Sequence, residues 1–202
     1  MKKKKTVVID SFSKVLGEDV LRAKHRMDSE PLDANRRDFA RATFSAIEAQ
    51  YWQLKMYIVE NVITDKSASI HKISALREES YSINEKGDVY VQPKGYSLKV
   101  GIRLIVSILK EHRISIPVDF RSSEWENIDR MVRIRNRLTH PKCMDDISIT
   151  KDEAECCYRA FTYLNHLMLE TIMGSALTAL NDILSGKVKP KRRSPSFFSA
   201  EK

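Results

Sequence analysis

Arg133-Ile134-Arg135-Asn136-Arg137-Leu138-Thr139-His140-Pro141 is the stretch on which the fold turns. It has the form of a helix end. Upstream, Ser123 and Glu126 have the spacing of a capping box, with Ser123 as N-cap and Glu126 reaching back to it. Trp125, Ile128, Met131, Val132 and Leu138 recur at helical spacing along one side. Pro141 disfavours right-handed helical backbone at His140, so the helix is predicted to stop there. Arg135 follows Val132 by three positions and Ile128 by seven, which puts it on the apolar side. A guanidinium on a packing face needs a carboxylate, another anion or a wet cleft. His140, five residues on and beside the chain stop, is expected to share that cleft.

Outside this stretch, the chain's 202 residues suffice for one domain with a real core. A hydrophobic content of 42% and a charged content of 31% are those of a soluble globular protein, and only 6 Gly and 6 Pro exclude a fibrous or loop-rich one. The net charge of +8 favours an acidic partner, nucleic acid being the commonest; a solvated basic surface is the plainer alternative. The cysteines Cys143, Cys156 and Cys157 are odd in number, and two are adjacent, which is neither a disulfide framework nor a zinc spacing. The adjacent pair is expected to be small core residues, and the setting reducing and cytoplasmic. No stretch approaches the roughly 20 apolar residues of a membrane helix, so no membrane partner is expected.

Residues 1–32 read as an N-terminal extension, with a short helix over Phe12 to Ala23 and, at Thr6 to Ile9, a strand or docking segment. Asp33 to about Val62 is predicted to be a long helix with a seam of Phe44, Ile47, Tyr51, Leu54 and Ile58. Glu48 sits next to that seam; a solvated carboxylate is its plainest role, and orienting Arg135 the sharper one. Residues 63–97 read as an insertion. In it Ile70 to Glu79 suggests a short helix, and alternation at Tyr81 to Ile83 and Val89 to Val91 flanks a turn in which Gly87 supplies a positive φ. This hairpin suits a lid, a dimer arm or plain decoration. Leu98 to about Lys110 is the second core helix. Thr150 and Glu153 form another capping box, and the helix they start runs to about Leu184, with a bend or break at Gly174-Ser175 and a stop at Gly186. Residues 186–202 are basic and Ser/Pro-containing, predicted to be disordered, and suited to a nucleic-acid arm. The expected fold class is all-α: a bundle of four core helices over residues 33–185, with a small hairpin insertion and a basic tail.

Arg135-Asn136 followed by His140 after four intervening residues resembles the signature of the HEPN superfamily (higher eukaryotes and prokaryotes nucleotide-binding). In that signature an Arg and a polar residue precede a His, and His-Pro is a common ending. Arg133 also fits, with six intervening residues; Arg135 is preferred because Asn136 follows it directly. The resemblance covers roughly residues 33 to 185. It implies a four-helix HEPN bundle and a homodimer in which two motifs face each other across one cleft. It also implies a metal-independent endoribonuclease with Arg135, Asn136 and His140 as its catalytic set. Toxin or phage-defence effectors are the kind of protein it suggests, with an antitoxin or defence-system partner.

The residue types suit that chemistry. RNA carries its own nucleophile, the 2′-hydroxyl. A neutral imidazole can take its proton, and an imidazolium can protonate the leaving 5′-oxygen. An arginine stays charged and can grip the extra negative charge of the pentacoordinate phosphorus. Asn136, one turn before His140, is placed to steer the imidazole or hold a phosphate oxygen. Arg133, Arg137 and Lys142 are candidate RNA contacts. No cofactor or metal site is expected: there is no paired-Cys site, HExxH or Gly-rich phosphate loop.

Overall fold

A computed structural model describes residues 11–63 and 70–185. The lysines Lys2 to Lys5, the candidate strand at Thr6 to Ile9, Gly186 and the basic tail lie outside the described residues. In chain order the elements are α1 (Ser11–Ser29), α2 (Asp33–Tyr57), α3 (Ile70–Leu76), β1 (Glu79–Ile83), β2 (Val89–Pro93), α4 (Leu98–Glu111), α5 (Ser123–Thr139) and α6 (Lys151–Leu184). The protein is thus mostly helical, with one small antiparallel sheet.

The core lies where α2 meets α1, α5 and α6. Phe39 and Ile47 of α2 and Ile58 just after it are buried there with Ile102, Ile105, Ile108 and Leu109 of α4, Ile128 and Ile134 of α5, and Cys157 and Ala160 of α6. Each fully buried Leu or Ile contributes about 1.5–3 kcal/mol relative to exposure. Cys156 is buried as well, with its thiol 3.4 Å from the Asn127 carbonyl of α5. Helix α1 is longer than expected and is part of this body. Its Val20 and Ala23 are in the core cluster, although the sequence reading set residues 1–32 aside as an extension.

Two local expectations are corrected. The N-cap of α5 is Ser122, not Ser123. Ser122 has extended backbone (φ −73°, ψ 162°) and its hydroxyl accepts from the Trp125 N–H at 3.3 Å. Ser123 is already the first helical residue, so the proposed box with Glu126 does not form. Gly174-Ser175 does not break α6; the helix runs through both. Gly174 instead admits Ile114, whose Cγ2 lies 3.0 Å from where a Cβ would stand. Helix α2 closes in a single π-helical turn over Ile58–Val62.

The second capping box forms as predicted. Glu153 N–H donates to Thr150 Oγ1 at 3.1 Å, and Thr150 N–H donates back to the Glu153 carboxylate at 3.0 Å. The hairpin also forms, in a register pairing Tyr81 with Val91 and Ile83 with Val89, with Gly87 at φ +84°. Its root is a cross-link to α2. Glu78, at a left-handed φ of +57°, bonds Lys55 of α2 at 2.5 Å, and the Lys94 N–H closes the neck on the Glu78 carbonyl at 2.7 Å.

Candidate functional site

Helix α5 presents four arginines, Arg130, Arg133, Arg135 and Arg137, and each finds an acceptor. Arg130 bonds Asp152 at 2.6 Å, and Arg133 bonds Asp129 at 2.9 Å, one turn back on its own helix. Arg137 reaches the Ser148 carbonyl and the Glu153 carboxylate, both at 2.9 Å. Arg135 bonds Glu48 of α2 at 2.9 Å and the Asn136 side-chain oxygen at 3.2 Å. Glu48 is therefore paired with Arg135 while remaining open to solvent.

These pairs differ in what they leave open. Arg137 is knitted into the joint between α5 and α6. Burial pushes the Glu153 carboxyl up, but the Thr150 N–H and Arg137 outweigh this and hold it below its ordinary value. Asp129 is likewise held low, first by its hydrogen bond from Lys99. Arg135 sits instead at the edge of a groove of about 300 Å³. Phe44 and Ile47 of α2, Leu98 of α4, and Met131 and Val132 of α5 supply its apolar lining; Glu48, Ser97, Arg135 and Asn136 supply its polar groups, and Tyr96 completes it. The Arg135 side chain is 41% exposed and that of Glu48 61%, so an entering anion can compete for the guanidinium. An exposed pair of this kind contributes only about 0–1 kcal/mol.

His140 is the helix C-cap, at φ −129° and ψ 58°, the departure from helix that Pro141 demands. Its N–H donates to the Asn136 carbonyl at 3.1 Å. The residue is exposed and does not line the groove. Within the chain, then, Arg135 and Asn136 share the groove, and His140 does not join them as the sequence led us to expect. Nor does the Asn136 amide steer the imidazole; it holds Arg135. Lys142 is exposed on the loop that follows. That loop is folded by Asp146, whose carboxylate accepts from the N–H groups of Lys142 (2.7 Å) and Cys143 (3.2 Å) and is held low by them. It is stitched to the start of α2 by Arg36 on the Ile149 carbonyl at 2.6 Å and by Ser148 on Asp33 at 3.2 Å.

Tyr96 and Ser97 are the groove residues that motif reading passed over. The available signal was Ser97, a helix N-cap whose hydroxyl accepts from the Val100 N–H at 3.4 Å. Among the described residues no group of three or more His, Cys, Asp and Glu side chains is placed to hold a metal ion. No described helix is long and apolar enough to cross a membrane. The chain matches no protein-family model, no curated protein and no solved structure.

Proposed function

We propose that this chain is a metal-independent endoribonuclease of the HEPN type, a four-helix HEPN bundle that acts as a homodimer with a composite site. The observation that carries the reading is the state of Arg135. It is an accessible guanidinium in a groove, held only by an exposed carboxylate and its neighbour's amide, five residues before an exposed imidazole. Because His140 lies outside its own groove, the base and acid must come from the pairing of two helix ends.

In that arrangement a scissile phosphate displaces Glu48 from Arg135 and takes its N–H donors. One His140, neutral, accepts the proton of the 2′-hydroxyl as the 2′-oxygen attacks phosphorus. The bond from phosphorus to the 5′-oxygen breaks, and the second His140, as imidazolium, delivers a proton to that oxygen. The products carry a 2′,3′-cyclic phosphate and a 5′-hydroxyl. Charge gathers on the phosphoryl oxygens, where Arg135 offers a fork of donors. Lys142 and Arg133 are exposed on the flank and suit backbone contacts, while Arg137 is committed to the α5–α6 joint. A toxin or phage-defence effector is the setting that fits such an activity.

The test is incubation of the full chain with total RNA in EDTA, with end-group analysis of the products. Cleavage is expected to persist and to leave cyclic phosphate ends. His140→Ala is expected to lower the rate by about 10²–10⁴-fold without moving the unfolding midpoint. Unaltered cleavage by His140→Ala, or none by the wild type, overturns the reading. The apolar lining of the groove favours a second one, a non-catalytic HEPN module that holds RNA, a nucleotide or a protein partner there. That reading requires binding that survives His140→Ala, with no cyclic-phosphate products.

A further inference from the structure

An apolar sheet face stands exposed on the hairpin whose second strand leads into the lining of the Arg135 groove. Directly paired residues of an antiparallel ladder project to the same side. Tyr81, Ile83, Val89 and Val91 therefore share one side of the hairpin, and they are 54%, 73%, 62% and 58% exposed. Ser80, Ser82, Tyr90 and Gln92 occupy the other. A lone two-stranded hairpin is marginal in water, and an apolar side is stabilised when it packs on something. This one is held at its root by the Lys55–Glu78 pair and the closed neck. It is a fixed arm with an apolar side.

We propose that this side of the hairpin is where a second copy of the chain docks. Three features select that occupant. A two-fold axis lays the side on its own like, the aligned packing that paired sheets adopt. The charges suit an antiparallel pair: the tip carries Glu85 and Asp88 against Lys86, and the root carries Arg77 and Lys94 against Glu79, with Glu78 engaged by Lys55. Tip then meets root with opposite sign, whereas RNA laid along the arm meets an acidic tip. The third feature is place. Tyr96 and Ser97 follow β2 by three and four residues and line the groove. A copy docked on the arm lies beside Arg135, where the composite site needs a second His140; this consequence rests on the nuclease reading, while the docking itself is measured without it. Four side chains alone are fewer than the roughly 20–30 residues a side that a standard interface uses. The surface around the groove supplies the rest.

Sedimentation equilibrium of the full chain tests the proposal. The wild type is expected to be a dimer, and Ile83→Lys/Val91→Lys to weaken association by about 100-fold with its helical circular dichroism unchanged. Single cysteines at Tyr81, Ile83, Val89 and Val91, each in a Cys143→Ser background, are expected to include at least one that crosslinks to its counterpart under oxidation. A monomeric wild type, or a variant that dimerises like the wild type, overturns the proposal. So does a monomer whose hairpin variant loses RNA retention, which assigns the face to nucleic acid. Cleavage assayed in parallel keeps the two readings apart: dimer loss with full cleavage upholds the arm and removes the composite site.

Discussion

Two ion pairs tie α2 to its surroundings, seven residues apart on the same side of the helix, and they behave in opposite ways. Lys55 is 2% exposed, bonded to Glu78, with its ammonium 4.5 Å from the Tyr51 ring centre and 4.7 Å from that of Trp52. Glu48 and Arg135 have the same kind of chemistry with the acid now on α2, but both are open to solvent. Burial raises what is lost when one partner goes, because the survivor is left as an uncompensated charge. Exposure makes a pair dispensable to the fold and free to exchange partners. The first pair roots the hairpin, and the second leaves an arginine available to a ligand.

The largest effect is expected at the buried pair. Glu78→Ala strands the Lys55 ammonium and is expected to lower the unfolding free energy by about 3–5 kcal/mol, measured in urea. Lys55→Met/Glu78→Ala is expected to recover most of that loss. A double variant no better than the single one would mean that the aromatic rings, not the charge, make the site.

The Arg137–Glu153 pair is intermediate in burial and sharpens the series through pH. Glu153 has a folded pKa below its ordinary value of 4.5, so its contribution to stability is fully present above that value. It is lost as pH falls through the lower, folded pKa. The urea midpoint is therefore expected to hold near neutral pH and drop in the acid range, with a shallower drop in Glu153→Gln. Equal slopes for the two proteins would place the acid sensitivity elsewhere.

The smallest effect on stability is expected at the exposed pair. Arg135→Ala should cost under about 1 kcal/mol, yet abolish RNA cleavage. A large loss of stability there, with cleavage retained, would reverse the assignment of the two pairs.

Much of the fold was legible because its signals are local. The Thr150 box places its hydroxyl and carboxylate within one helical turn, so spacing alone finds it. Gly87 reports its turn through a backbone preference. Pro141 ends α5 through its own ring. The α5 cap was read one residue late because two serines are adjacent, and only backbone dihedrals decide which one stands outside the helix. Tyr51 could be placed on a seam, but not against Gly101, where a Cβ would lie 1.5 Å from its Oη. That closeness, together with Glu78, accompanies burial that pushes the Tyr51 phenol up to about 12.

The candidate site divides in the same way. Sequence alone determined that Arg135, Asn136 and His140 stand at one helix end, because helical rise and a proline are sufficient to put them there. Packing decided which carboxylate each cation meets, that a lysine is buried, and that the groove takes in the arginine and leaves the histidine outside. Those outcomes depend on how α2 lies against α5 and the hairpin, residues far apart in the chain, and no local preference encodes that contact.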